Sequence, residues 1–320
     1  MKALVIGGNG FIGSNLVALL LQNKHQVRIF DRYPNRFMAP LPNVEHVVGE
    51  FSNHGEIAEA VKGMDWVFHL ACTTLPQTSN DDPVYDIHSN IGGTVQLLQE
   101  CVKNKIKKVV FISSGGTIYG VPQTSPIAEE HPTEPICSYG ITKLAIERYL
   151  HLFHWLHGLE YACARLSNPY GELQNPDAKQ GAMGVFLGQI ARHQPITIWG
   201  DGNVVRDYIY IGDTVKALLC AAEYDPKKFA TADGKEGKEG PRIFNIGSGQ
   251  GQTLNELVDA IKEVVGPQVE VRYTESRPVD VPVNVLDISK AKKYLGWQPE
   301  VSLKDGIGKS WEWINSLQLK

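Results

Sequence analysis

Apolar residues in the first half of the chain gather into short β-branched runs with few polar interruptions. Residues 2–6, 26–30, 46–48, 66–70, 108–113 and 161–166 read as strands of this kind. A strand that is apolar at successive positions has both faces covered, which indicates a parallel sheet between two helical layers. Helical patterns fall between these runs, over residues 11–22, 55–61, 84–104 and 138–157. The alternation predicts an α/β fold built on a doubly wound parallel sheet. After about residue 168 prolines and glycines become denser. The helical patterns at 185–192, 254–265 and 289–294 then lack regular partner strands. This predicts a smaller, irregular α/β region over 169–320, covering the carboxyl ends of the strands of a 1–168 sheet domain. Segments near 203–218 and 242–247 are expected to return to that domain. The polar stretch 229–240, rich in Gly, Lys and Glu, reads as an exposed, mobile loop.

Composition changes this picture only by exclusion. The 320 residues include 31 basic and 35 acidic side chains, a formal net charge of −4, with 42% apolar and 21% charged residues. That balance sets aside disorder and argues against a nucleic-acid or membrane-surface binder. No apolar run approaches the roughly 18 residues needed to span a bilayer. The apolar start ends at Gly7 after too few residues for a secretory signal. Five cysteines, odd in number and without C-x-x-C spacing, suit reduced thiols in a cytoplasmic protein. His151, His154 and His157 spread around their helix with no Cys or acid to complete a ligand set, so no metal is expected.

The first candidate chemistry is Gly7-Gly8-Asn9-Gly10-Phe11-Ile12-Gly13, directly after the first strand and opening the first helix. Glycines at this G-x-x-G-x-x-G spacing allow a tight turn, close approach to a pyrophosphate and close helix–strand packing. The helix N-terminus adds free N–H groups and partial positive charge. Asp31, at the end of the second strand, is placed to accept from an adenosine ribose. It would repel a 2′-phosphate and so favours NAD over NADP, with Arg32 and Arg36 nearby acting against that preference. The sheet domain is therefore expected to be of Rossmann type.

Tyr139 and Lys143 stand four apart on one helix face. Lowering a phenol from its reference pKa of about 10 to about 7 takes roughly 4 kcal/mol, within reach of an ammonium plus an oxidised nicotinamide. Tyr224 and Lys228 share the spacing, but Pro226 between them is unfavourable inside a helix. The strand at 108–113 runs into Ser113-Ser114-Gly115-Gly116-Thr117-Ile118-Tyr119-Gly120, placing hydroxyls at a carboxyl strand end.

With these pieces, His69-Leu70-Ala71, Asn168-Pro169-Tyr170-Gly171, Arg206-Asp207-Tyr208-Ile209 and Arg277-Pro278, nearly the whole chain resembles the nucleotide-sugar epimerases among the extended short-chain dehydrogenases/reductases. The resemblance implies NAD held by Gly7, Gly10, Phe11, Ile12, Gly13, Asp31, Arg32, Leu70, Ala71, Asn90, Tyr139 and Lys143. Tyr139 would be the base and acid, and Lys143 would lower its pKa and hold the cofactor ribose. The family's usual catalytic Ser/Thr position is Gly115 here, which leaves Ser114 or Thr117 to supply the hydroxyl. Related dehydratases carry Asp-Glu where this chain has Gly116-Thr117, so water elimination is not expected. Asn168, Arg206 and Arg277 would surround the substrate diphosphate, with a local Arg206–Asp207 ion pair as the alternative for the first arginine. Trp199 would lie near the nucleobase or in the core, and Asn284 would occupy a position that limits sugar size. Helices matching 84–104 and 138–157 would pair across a two-fold axis in a homodimer. The expected reaction is inversion at C4 of a UDP-hexose (glucose/galactose, N-acetylhexosamine or uronate) through a transient 4-keto sugar. The alternatives are a reductase or epimerase for a dTDP- or GDP-sugar, and a non-catalytic dinucleotide-binding regulator.

Overall fold

Ala3 to Ile6 of strand β1 (Lys2–Ile6) are fully buried. Ala3 and Val5 face one apolar layer with Leu16, Val17 and Leu20 of α1 (Phe11–Gln22). Leu4 and Ile6 face the other, with Ile57, Leu97 and Leu150. Two helical layers therefore claim alternate residues of one strand, which is why its apolar run has no polar gaps. The computed structural model describes residues 1–178, 181–229, 239–275 and 281–319. The predicted loop core at 230–238 lies outside the described residues.

From α1 the chain continues through β2 (Gln26–Asp31), β3 (Val44–Val48), α2 (His54–Val61) and β4 (Trp66–His69). One long helix follows, made of α3 (Pro83–Asp86), a π-helical segment (Ile87–Gly92) and α4 (Gly93–Lys103). Then come β5 (Lys108–Ser114), α5 (Ser138–His157) and β6 (Tyr161–Leu166). Later elements are β7 (Asn168–Tyr170), α6 (Ala182–Ala191), β8 (Ile196–Trp199), β9 (Val205–Tyr210), α7 (Ile211–Glu223) and β10 (Ile243–Ile246). The chain closes with β11 (Gly251–Thr253), α8 (Leu254–Val265), β12 (Val271–Thr274), β13 (Val283–Asn284) and α9 (Leu303–Ser316).

The main sheet has seven parallel strands in the order β10-β6-β5-β4-β1-β2-β3. The chain runs outward from β1 to β3 and then resumes on the other side at β4. The carboxyl ends of β1 and β4 thus form the crevice where α/β sheets bind ligands. β10 joins this sheet late in the chain, beside β6. α7 shares the apolar layer of α1. A third apolar cluster holds α6, α8 and α9 around β8 and β9. The short sheets there, β11-β9-β13 with β7 on β9 and the pair β12-β8, gave little strand signal because each strand spans only two to six residues. The helix expected at 289–294 is instead mainly a π-helical turn, Ala291–Leu295.

Candidate active site

Helices α2, α8 and α9 begin on side-chain caps from Asn53, Thr253 and Ser302. Helix α1 does not: its N-cap is Gly10, which has no side chain to satisfy the first-turn amides. Phe11, Ile12 and Gly13 supply those amides at the switch-point crevice, so an anion has donors waiting. Gly7 has φ 82°, in the left-handed region, and a Cβ there would lie 3.0 Å from the Ala71 amide nitrogen. A Cβ on Gly13 would lie 2.2 Å from the Gly7 carbonyl oxygen. The turn therefore needs glycine at both positions, and it packs directly on the Leu70-Ala71 segment after β4. Asp31, ending β2, accepts from the Asn9 and Arg32 amides at 2.9 and 2.8 Å, which ties the acid to the turn. Arg32 lies 3.8 Å from Glu50, and Arg36 pairs with Asp177 at 3.0 Å. Both arginines are exposed and have a carboxylate nearby. The uncapped helix, the glycine cradle and Asp31 together fit a dinucleotide.

The carboxyl edge of β5 carries the hydroxyls. The Ser113 hydroxyl donates to Glu147 at 2.6 Å, and Glu147 forms a buried bidentate pair with Arg165. Ser113 therefore belongs to the scaffold. Ser114 closes the strand, half-buried. At Gly115, the position where the resemblance would place a hydroxyl, a Cβ would lie 2.6 Å from the Leu286 side chain. Thr117 Oγ1 is buried and has no hydrogen-bond partner among the described residues. The Thr117 carbonyl lies 2.8 Å from where a Gly140 Cβ would sit, so Thr117 packs beside the residue after Tyr139.

Tyr139 and Lys143 occupy the first turns of α5. The Tyr139 amide donates to Ser79 Oγ at 3.0 Å. Lys143 Nζ donates to the Ile112 carbonyl at 2.9 Å and stands 5.5 Å from the Tyr139 ring centre. Burial pushes the Tyr139 phenol well above its ordinary value, and Cys72, Cys137 and Asp86 add to the rise. Burial pushes Lys143 down, while Cys72, Asp86 and Glu147 push it back up. The rival Tyr224 ends α7 outside the crevice, and its carbonyl accepts from Lys108. Lys228 follows on a separate 3-10 turn, so that pair shares no helix face.

Sequence reasoning missed Asp86. This fully buried carboxylate accepts from Thr74, Asn90, Ser138 and Thr142. Its signal was available: Asp86 and Asn90 are polar residues four apart on one face of a predicted helix. Asn90 itself is buried, accepting from the Thr73 amide at 2.9 Å.

On the opposite wall, Asn168 on β7 donates to the Asp207 carbonyl at 2.9 Å. Arg206 on β9 donates to the carbonyls of Val205 and Val281. The Asp207 carboxylate instead accepts from the Ser248, Gly249 and Leu286 amides and the Ser248 hydroxyl, so it serves as a backbone anchor. Asn284, 2% exposed, donates to the Gly115 carbonyl at 3.0 Å and keeps its Oδ1 buried without a partner among the described residues. It therefore joins β13 to the serine-strand turn. Trp199 ends β8 and is 46% exposed, which removes it from the core. Arg277 lies outside the described residues. His154 comes within 4.8 Å of Glu160 and Glu239, and Arg242 already pairs with both acids. Among the described residues no helix is long and apolar enough to cross a membrane.

Comparison with known proteins agrees with this geometry. The chain is 33% identical to the UDP-glucose 4-epimerase of Mycolicibacterium smegmatis over 99% of both chains. It is also 33% identical to an Escherichia coli dTDP-4-dehydro-6-deoxyglucose reductase, over 96% of this chain and 95% of that one. The Thermotoga maritima UDP-glucose 4-epimerase, solved with UDP-glucose, superposes with a TM-score of 0.91 at 34% identity, covering 99% of each chain. The family described as NAD dependent epimerase/dehydratase matches residues 3–247. The chain belongs to this NAD-dependent family.

Proposed function

We propose that the protein inverts C4 of a UDP-hexose, using NAD that stays bound between turnovers. The observation that carries this reading is the pairing of half-buried Tyr139 with buried Lys143 at the sheet's carboxyl edge, next to the uncapped glycine turn. Gly7, Gly10, Phe11, Ile12 and Gly13 would hold the cofactor pyrophosphate, and Asp31 the adenosine ribose. When bound, NAD supplies a hydride acceptor and donor for the sugar carbon. Tyr139 takes the 4-hydroxyl proton and later returns it. Lys143, anchored on the Ile112 carbonyl, offsets the phenolate charge. Thr117 is favoured over Ser114 as the assisting hydroxyl, because its Oγ1 is buried without a partner among the described residues. Asn168 and Arg206 would bind the diphosphate, together with Arg277, and Trp199 the uracil. Asn284, smaller than a tyrosine, leaves room for a C2 N-acetyl group.

The division of labour follows: residues 1–168 with α7 and β10 hold the cofactor, and most of 169–320 holds the nucleotide sugar. Ile141, Leu152, Trp155 and Leu156 on α5, with Val84 and Ile87 of the neighbouring helix, form an exposed apolar face that suits a two-fold dimer. All five cysteines are free thiols, which supports a reducing, cytoplasmic setting.

The test is to incubate the purified protein with UDP-glucose, UDP-N-acetylglucosamine and UDP-glucuronate and follow the anomeric proton resonances. Inversion with at least one, without net change in nicotinamide absorbance, is expected. No inversion with any of them overturns the reading. The identity to a dTDP-sugar reductase supports a second reading, which predicts stoichiometric oxidation of added NADH or NADPH by a 4-keto sugar.

A further inference from the structure

Four donors converge on the two carboxylate oxygens of Asp86, which is 0% exposed. Oδ1 accepts from Thr74 Oγ1 at 2.5 Å and Asn90 Nδ2 at 2.9 Å; Oδ2 accepts from Ser138 Oγ at 2.7 Å and Thr142 Oγ1 at 2.8 Å. Each carboxylate oxygen thus receives two side-chain hydrogen bonds. A buried charge of this kind persists only when fully hydrogen-bonded. Its placement is specific. Ser138 directly precedes Tyr139 and Thr142 directly precedes Lys143. At four residues apart the two hydroxyls share one helix face, and the reactive pair takes the next face round. Asp86 also ends α3 where the helix widens into its π-helical segment, with Asn90 Nδ2 reaching back to the Asp86 carbonyl at 3.2 Å. Such widened turns recur at functional sites, where they re-aim side chains.

We propose that Asp86 is a positioning residue for the reaction, gripping the first turn of α5 through Ser138 and Thr142 and setting a fixed negative charge beside Tyr139 and Lys143. This rests on the proposed roles of that pair. The charged and titratable groups facing Tyr139 are Cys72 after β4, Cys137 at the start of α5, Asp86 and Lys143. Those facing Lys143 are Cys72, Asp86, Glu147 and, on β4, His69. Asp86 holds Tyr139 protonated to higher pH and Lys143 charged to higher pH. Removing its charge therefore moves both ionisations downward.

Asp86→Asn removes the charge with little change of shape, since the Ser138 and Thr142 hydroxyls can turn to accept from the new amide. In NAD-loaded protein turning over a UDP-hexose, both limbs of the kcat–pH profile are expected to move about one unit toward acid, with kcat reduced about tenfold. Thr142→Val, which deletes one donor, is expected to lower kcat, and Thr142→Ser to restore it. In Asp86→Ala, amide hydrogen exchange across residues 138–143 is expected to accelerate, a readout that needs no substrate. Unmoved pH limbs with kcat within about twofold of wild type in Asp86→Asn overturn the proposal. So does unchanged exchange in Asp86→Ala. If the wild-type protein epimerises no UDP-hexose, the proposed reaction falls, and the exchange result alone then decides whether Asp86 holds α5.

Discussion

Introducing a serine at Gly115 tests whether Leu286 displaced the family hydroxyl. The backbone at Gly115 is not in the left-handed region, so only space opposes a side chain. A Cβ there would lie 2.6 and 2.9 Å from the two Leu286 δ-carbons and 3.2 Å from the Arg165 carbonyl. Leu286 is fully buried among Ile118, Tyr119, Ile127 and Ile288, so moving it aside disturbs that cluster. Gly115→Ser should therefore destabilise by about 1–3 kcal/mol, as overpacking does. Leu286→Ala should cost about 2–5 kcal/mol through its cavity. Combined, the serine occupies part of the space the leucine leaves, so the double variant should be at least about 1 kcal/mol more stable than the sum predicts. Urea unfolding of the four proteins measures the cycle. Additivity within about 0.5 kcal/mol would mean that Leu286 is not the obstacle.

Four further outcomes follow from the same geometry. Tyr139→Phe should abolish epimerisation while NAD remains bound; residual turnover above a few per cent of wild type would remove the phenol from its role. Gly13→Ala, whose Cβ would meet Gly7 and Gly8 backbone atoms at 2.2 and 2.7 Å, should purify without NAD, as judged by nicotinamide released on denaturation. Arg165→Met breaks a buried pair that also holds Tyr119 and should cost about 3–5 kcal/mol by urea unfolding, since it strands Glu147. Burial pushes His69 from 6.5 down to about 3, so between those values the unfolded chain binds a proton that the folded one excludes. That group's contribution is present above 6.5 and is lost as pH falls toward 3, by up to about 1.4 kcal/mol per unit. His69→Gln should flatten the acid side of the stability–pH curve, and an unchanged slope counts against a titrating His69.

The sheet was legible because burial on both faces leaves little choice of residue. Ala3–Ile6 is apolar at every position, and Tyr161–Leu166 is interrupted only by Arg165, whose charge is paired with Glu147. The glycine turn was legible for a similar reason, since φ 82° at Gly7 and a close approach at Gly13 exclude side chains. What sequence could not supply was partnership between distant segments. The Leu286 side chain against Gly115 and the Asn284 bond to the Gly115 carbonyl join segments more than 160 residues apart. Arg206-Asp207 shows the same limit. Adjacent opposite charges suggest a local pair, yet on β9 neighbouring side chains point to opposite faces, and Asp207 finds its donors at Ser248, Gly249 and Leu286 instead.

The Tyr139–Lys143 pair sharpens what a spacing of four can mean. The Lys143 ammonium, 5.5 Å from the Tyr139 ring centre, is an opposite charge that favours the phenolate. Burial works against this by raising the phenol and lowering the amine, and Asp86, Cys72 and Cys137 add to the rise on the phenol side. A second positive charge would favour the phenolate further. Oxidised nicotinamide carries that charge and reduced nicotinamide does not. In the proposed reaction Tyr139 would then be the better base while the site can accept hydride, and the better acid once hydride has moved. A residue with a permanently low pKa could do the first half of a C4 inversion well and the second half badly. Burial raises the Tyr139 phenol, so in the proposed reaction its proton affinity would follow the redox state of the site.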